Sequence, residues 1–198
     1  MIKIVIFDTD GMLIRREMYF SQRFSKEFGI PIEKILPFFK NEFQLCLVGE
    51  ADLKEELPKY FDQWGWRKSV DELLVYWFSN ECELDKELIK SVNDLRKKGI
   101  GCYLNTNNEK YRVQYLFEDV GLRKFFDGTF SSFEIGFLKP QTEFWSAIYE
   151  HLDKPDRSEV LVWDDDEENV RSAKNFGFEA ELYSNFEEYE RRMKLLVG

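Results

Sequence analysis

The stretch Ile2-Lys3-Ile4-Val5-Ile6-Phe7-Asp8-Thr9-Asp10-Gly11-Met12-Leu13 decides how the rest of the chain is interpreted. Residues 4–7 are apolar without alternation, which is typical of a parallel strand buried on both faces. Two carboxylates follow, and because residues two apart in an extended chain face the same way, Asp8 and Asp10 start out as neighbours. Their repulsion predicts either a bound cation or a carboxyl group that keeps its proton. An ordinary acidic turn explains the pair equally well, since Asp and Gly favour turns.

Composition limits the classes of function. A chain of 198 residues holds one core, or a core and a small second domain. The net charge of −10 argues against a nucleic-acid partner, because no basic stripe is present to neutralise phosphates. The apolar run at the start is too short and ends too acidically for a membrane span or a secretion signal. Three widely spaced cysteines without zinc-binding spacing predict reduced thiols in a cytoplasmic protein.

The pattern of apolar residues divides the chain. Residues 15–83 show helical spacing with many aromatic residues, which predicts four or five short helices in a small bundle with an aromatic core. From residue 84 onwards helices alternate with short apolar strands at 100–104, 126–130, 159–163 and 179–183. We therefore expect an α/β fold: a doubly wound, Rossmann-like parallel sheet formed by residues 1–14 and 84–198, with residues 15–83 as an inserted helical cap.

Polar residues cluster where the predicted strands end, which is where ligands bind in such sheets. Besides the first acidic pair they are Thr106 and Asn107, Lys139 before the helix that Pro140 is expected to open, and the acidic run that begins at Asp164. Each has a simpler explanation: Thr106 to Asn108 suit a helix N-cap, Lys139 suits solvent, and the later acidic residues suit a helix N-terminus. Several carboxylates at one sheet edge nevertheless require a divalent cation, and ligands that are all oxygen indicate Mg²⁺.

Four motifs in this order resemble those of the haloacid dehalogenase superfamily. They are VIFDTDGML (residues 5–13), LNTNN (104–108), GFLKPQTEFW (136–145) and LVWDDDEENV (161–170). The likeness covers essentially the whole chain, and the helical segment between the first two motifs is similar to that family's helical cap. Thr9 and Met12 depart from the commoner residues of the first motif. Members that remove halide lack the second aspartate, so Asp10 implies phosphoryl transfer.

The resemblance implies a role for each residue. Asp8 would attack phosphorus and form an aspartyl-phosphate, and Asp10 would protonate the leaving oxygen and later activate water. Mg²⁺ would bind the Asp8 carboxylate, the Asp10 backbone carbonyl and Asp165, while Asp164 and Asn169 would be second ligands or orienting groups. Thr106 and Asn107 would hold phosphoryl oxygens, and Lys139 would offset their charge.

These inferences predict a Mg²⁺-dependent phosphatase acting on a small phosphorylated metabolite, such as a hexose phosphate. Two alternatives stay open: a phosphomutase on the same fold, and a non-catalytic phosphate-binding regulatory protein. We expect no nucleic-acid partner, no membrane partner, and a monomer or a weak homodimer.

Overall fold

A computed structural model describes residues 1–15 and 17–197; Arg16 and Gly198 lie outside the described residues. The strands are β1 (Ile4–Asp8), β2 (Ile14–Arg15), β3 (Glu83–Leu84), β4 (Gly101–Thr106), β5 (Gly128–Ser131), β6 (Val160–Asp164) and β7 (Glu179–Leu182). The α-helices are α1 (Phe20–Phe28), α2 (Ile32–Lys40), α3 (Glu42–Leu47), α4 (Leu53–Glu56), α5 (Phe61–Trp64), α6 (Val70–Ser79), α7 (Lys86–Lys97), α8 (Lys110–Glu118), α9 (Ser132–Ile135), α10 (Thr142–His151), α11 (Glu167–Phe176) and α12 (Phe186–Leu196). Short 3₁₀ turns occupy Leu57–Tyr60, Leu122–Lys124 and Arg157–Glu159.

The central sheet is parallel. Within the described residues it has five strands in the order β5-β4-β1-β6-β7, and each neighbouring pair is parallel. The first strand of the chain is therefore the middle strand, with Asp8 opposite Asn105 of β4. Because all five strands run in one direction, their carboxyl ends meet at one edge, which places the ends of β1, β4 and β6 side by side.

Helices cover both faces of this sheet. Val5 and Phe7 of β1 pack into one apolar cluster with side chains of α7 and α12, whereas Ile6 packs into another with side chains of α10 and α11. The apolar run without alternation thus corresponds to a strand buried on both faces. The predicted α/β fold with a doubly wound parallel sheet is confirmed.

Two local predictions are wrong. Pro140 does not open a helix: α10 begins at Thr142, with Gln141 in the N-cap position. Thr106 to Asn108 do not cap a helix either, because Thr106 is the last residue of β4 and the N-cap of α8 is Glu109, whose carboxylate accepts from the backbone N–H groups of Tyr111 and Arg112. These polar residues are therefore available at the sheet edge.

The segment between β2 and β3, which we call the helical insert, has its own apolar core. Its described part (residues 17–82) contains six α-helices, more than predicted, because the chain breaks into helices as short as four residues. The core is rich in aromatic rings, as expected; Phe24, Phe38 and Trp64 are fully buried. The treatment of residues 15–83 as a separate cap domain stays a prediction.

A small antiparallel ribbon joins the insert to the sheet, and the sequence did not indicate it. Ile14 pairs with Leu84 and Arg15 with Glu83. The Arg15 guanidinium binds the buried carboxylate of Asp85, with Nε 3.0 Å from Oδ2. The point where the chain enters the insert and the point where it leaves are thus held together beside the start of α7. Among the described residues, none of the helices combines the length and hydropathy needed to cross a membrane.

Candidate active site

The centre of the site is a buried lysine between two buried carboxylates. Lys139 Nζ lies 2.6 Å from Oδ1 of Asp8, at the end of β1, and 2.8 Å from Oδ2 of Asp164, at the end of β6. All three side chains are at most 5% exposed. The interpretation of Lys139 as a solvated lysine is therefore wrong, and the sheet topology explains its position, because β1 and β6 are neighbours.

The loop that carries Lys139 is fixed by a residue of another strand end. The backbone N–H of Lys139 donates to Oδ1 of Asn107 at 3.0 Å, and Asn107 directly follows β4. Asn107 therefore positions the lysine through its side chain. The backbone N–H of Asn107, which we predicted as a phosphate ligand, lies directly after the end of β4.

Three carboxylates gather at the edge of the sheet. Oxygen atoms of Asp8, Asp164 and Asp165 lie within 4.8 Å of one another, a group that can hold a metal ion. Asn169 Nδ2 donates to Oδ1 of Asp164 at 3.0 Å, so Asn169 orients that carboxylate. Asp165 is exposed and lies against Gly11, whose φ of +92° and missing side chain leave room for it.

The charges of this group do not balance. When all three are ionised, Asp8, Asp164 and Asp165 contribute three negative charges against one positive charge from Lys139. Burial raises the pKa of Asp8 well above its ordinary value; Lys139 opposes this rise, whereas Asp164 and Asp165 add to it. Burial alone would lower the pKa of Lys139, but the charges of Asp8 and Asp164 outweigh burial and raise it. The excess of two negative charges matches the charge of one divalent cation.

Asp10 has partners that the sequence analysis missed. Its Oδ2 accepts from Nδ2 of Asn108 at 2.5 Å, and its Oδ1 lies 3.1 Å from an Nη atom of Arg112. Asn108 Nδ2 also donates to the Thr106 hydroxyl at 2.6 Å, which links Asp10 to the end of β4. Asn108 adjoins the predicted Thr106–Asn107 pair, so its position in sequence was a usable signal.

Arg112 gives no such signal, because it reaches the site from the first turns of α8. Its guanidinium also donates to the backbone carbonyl groups of Phe78 and Glu81, at the end of the helical insert. One buried arginine therefore joins Asp10 to the insert. A cavity of about 580 Å³ opens beside Asp10, between the sheet edge and the insert.

Comparison with known proteins assigns the family. Residues 2–177 match the model of the haloacid dehalogenase-like hydrolases. The chain therefore belongs to the haloacid dehalogenase-like hydrolase family, which confirms the resemblance carried by the four motifs. No curated protein matches the chain.

Solved structures share the fold. A haloacid dehalogenase (HAD) family enzyme from Bacteroides thetaiotaomicron, in a magnesium complex, has a TM-score of 0.83 at 21% identity, covering 98% of both chains. A predicted HAD-like hydrolase from Porphyromonas gingivalis has a TM-score of 0.81 at 22% identity, covering 100% of this chain and 99% of the other. The L-2-haloacid dehalogenase of Xanthobacter autotrophicus has a TM-score of 0.65 at 20% identity, covering 100% of this chain and 84% of the other. At such identities these likenesses establish the fold alone.

Proposed function

We propose that this hydrolase is a Mg²⁺-dependent phosphatase that cleaves small phosphomonoesters through an aspartyl-phosphate on Asp8. The observation that carries the proposal is the buried Asp8–Lys139–Asp164 group with Asp165 beside it, three carboxylates that share one lysine. A nucleophilic carboxylate must be ionised, and burial opposes ionisation of Asp8 unless positive charge is supplied.

The donor set fits Mg²⁺. All three side chains of the cluster offer carboxylate oxygen, the ligand type that this ion prefers. We propose that Asp8, Asp165 and the backbone carbonyl of Asp10 hold it. When bound, Mg²⁺ supplies positive charge that stabilises the phosphoryl oxygens in the transition state. The Bacteroides enzyme was also crystallised with magnesium and inorganic phosphate together, at a TM-score of 0.81 and 21% identity.

Each residue of the site has its own role in the proposed reaction. Asp8 attacks phosphorus, and Lys139 keeps the attacking carboxylate ionised and offsets the negative charge of the phosphoryl group. The Thr106 hydroxyl and the Asn107 N–H donate to phosphoryl oxygens. Asp10 gives its proton to the leaving oxygen and afterwards takes one from the attacking water.

The neighbours of Asp10 serve to position its carboxyl group. Asn108 and Arg112 hold the two oxygens of Asp10 at 2.5 and 3.1 Å, which fixes its direction. Because Arg112 also binds the insert, the same contact keeps the insert over the site and limits access of water. Two predictions from the sequence stay part of the proposal: a cytoplasmic location, and a monomer or a weak homodimer.

A phosphate-release assay tests the proposal. The purified chain should release inorganic phosphate from p-nitrophenyl phosphate with Mg²⁺, lose this activity in EDTA and regain it when Mg²⁺ is restored. Transfer of the phosphoryl group within a sugar phosphate, without free phosphate, would instead indicate the phosphomutase. Phosphate binding without turnover of any phosphomonoester would indicate the regulatory alternative.

A further inference from the structure

We infer that the cavity beside Asp10 selects phosphomonoesters whose leaving group carries an aromatic ring, rather than the hexose phosphates that the sequence had suggested. This inference rests on the proposed function, because it concerns the alcohol that Asp10 would protonate. Asp10, Asn107 and Arg112, which belong to the candidate active site, line this cavity. A leaving group attached to phosphorus at Asp8 therefore extends into it.

Part of the cavity wall formed by the insert is apolar. Ile32 and Leu36 lie one turn apart on α2, and both line the cavity. Within the described residues both are only partly buried, and they stand apart from the apolar core of the insert. Their apolar surface is thus directed to the cavity, and a ligand that covers it gains hydrophobic free energy.

Aromatic rings form the adjoining wall, and packing holds them in place. Trp77 lies 5.4 Å from Phe39 and 5.5 Å from Phe43 between ring centroids, and it stacks on Phe20 at 4.6 Å. All four rings line the cavity. Because their orientations are fixed by contacts with one another, a flat ring can pack against them without the entropy cost of ordering the wall.

Three of the polar side chains that line the cavity already have partners within the protein. The carboxylate oxygens of Glu109 accept from two backbone N–H groups of α8. Gln44 Nε2 donates to the Phe39 carbonyl at 2.7 Å. The guanidinium of Arg112 is shared between Asp10 and the carbonyl groups of the insert.

A hexose needs a hydrogen-bonding partner for each hydroxyl group that leaves water, and an unpaired one is costly. Because Glu109, Gln44 and Arg112 are engaged in this way, they provide such partners poorly. The cavity volume of about 580 Å³ lies well within the range for small-molecule sites and accommodates an aromatic ring with its substituents.

Two esters of primary alcohols make a matched test, since their leaving groups have similar intrinsic reactivity. With wild-type protein and Mg²⁺, kcat/KM for 2-phenylethyl phosphate should exceed that for glucose 6-phosphate by at least about tenfold. The Leu36→Asn variant should lower kcat/KM for the phenylethyl ester by about tenfold and leave glucose 6-phosphate within about twofold. Val75→Asn is the control, because Val75 is 63% exposed on α6 and lines a different surface pocket.

Binding of the same two esters to the Asp8→Asn protein with Mg²⁺, measured by calorimetry, distinguishes the inference about the cavity from the proposed phosphatase activity. Turnover of both esters with equal kcat/KM and equal affinity would overturn the inference and leave the phosphatase intact. Tighter binding of the phenylethyl ester, weakened by Leu36→Asn, without turnover by the wild type would support the pocket and overturn the phosphatase. An equal loss of kcat/KM for both esters in Leu36→Asn would also overturn the inference, because the effect of Leu36 would then not depend on the leaving group.

Discussion

At the residue scale, Asp8 carries the chemistry of the site. Asp8→Asn preserves the shape of the side chain but removes the nucleophile, so phosphatase activity should fall by roughly 10³-fold or more. Steady-state phosphate release with p-nitrophenyl phosphate measures this loss. Glu168→Gln is the control, since Glu168 is exposed on the first turn of α11 and should keep full activity. Full activity in Asp8→Asn would exclude the covalent mechanism.

Lys139 should matter for stability as well as for activity. Lys139→Met removes the cation between Asp8 and Asp164 and leaves two buried carboxylates without it. We expect the free energy of unfolding in EDTA to fall by about 3 kcal/mol, because a broken buried ion pair leaves uncompensated charge. Urea unfolding measures this change, and adding Mg²⁺ should recover part of it. Unchanged stability would mean that the buried charges do not interact as described.

The residues of the site could be predicted only in part. Asp8 and Thr106 end strands, Asp165 follows a strand and Lys139 precedes a helix. The parallel topology brings the strand ends together. Arg112 could not be predicted, because its contacts with Asp10 and the insert depend on how α8 packs against both. The partners of Asp164 and Asn169 likewise became clear only from the hydrogen bond between them.

At the element scale, the start of α8 contains a carboxylate that should make stability depend on pH. Burial raises the pKa of Glu109 from 4.5 to about 7; the backbone hydrogen bonds from Tyr111 and Arg112 oppose this, and Asp52 adds to it. The folded protein therefore keeps a proton that the unfolded chain loses, and this group makes stability fall as the pH rises from about 4.5 to about 7.

Glu109→Gln removes the titrating group, and glutamine keeps one of the two oxygens that accept at the helix start. Between pH 5 and pH 7 the wild type should lose about 2 kcal/mol more of its unfolding free energy than the variant. Urea unfolding of both proteins at both pH values, without Mg²⁺, measures the difference. Parallel pH profiles for the two proteins would contradict the assignment.

The turn after β1 provides a second test at this scale. A Cβ atom at Gly11 would collide with the carboxylate of Asp165, and its φ of +92° disfavours other residues. Gly11→Ala should therefore raise the Mg²⁺ concentration for half-maximal activity by about tenfold or more, a loss of about 1.4 kcal/mol in binding.

Gly99→Ala is the matched control, because it introduces backbone strain without a collision between the Cβ atom and another residue. Gly99 has a φ of +80° with no atom within 4 Å of an added Cβ atom, so that variant should lose stability but keep its Mg²⁺ dependence. The same Mg²⁺ dependence in both variants would show that Asp165 does not hold the ion.

Elements were predictable where their patterns are long. The buried strands of the sheet and α7, α11 and α12 have apolar residues at regular spacing, and the structure contains all of them. The two-residue strands β2 and β3 have no periodicity to recognise, so they were missed. The start of α10 was misplaced because residues 138–141 form a turn, in which the Leu138 N–H donates to the side chain of Gln141.

At the scale of the whole molecule, binding of Mg²⁺ at the sheet edge should stabilise the fold. An ion that binds only the folded state at 100 times its Kd contributes about 2.7 kcal/mol, which for a chain of this size raises Tm by about 5–10 °C. Thermal unfolding with Mg²⁺ against NaCl of equal ionic strength measures the shift. Asp165→Asn should abolish most of it, and an equal shift in that variant would place the ion elsewhere.

The account as a whole depends on a covalent bond between phosphorus and Asp8. Rapid acid quenching during turnover of 2-phenylethyl phosphate or p-nitrophenyl phosphate with Mg²⁺, followed by peptide mass spectrometry, tests it most directly. We predict one phosphoryl group on the peptide that contains Asp8, which is absent in EDTA and absent in Asp8→Asn. Phosphate released at the same rate with no phosphoryl group on that peptide, or with the group on another residue, would contradict the account.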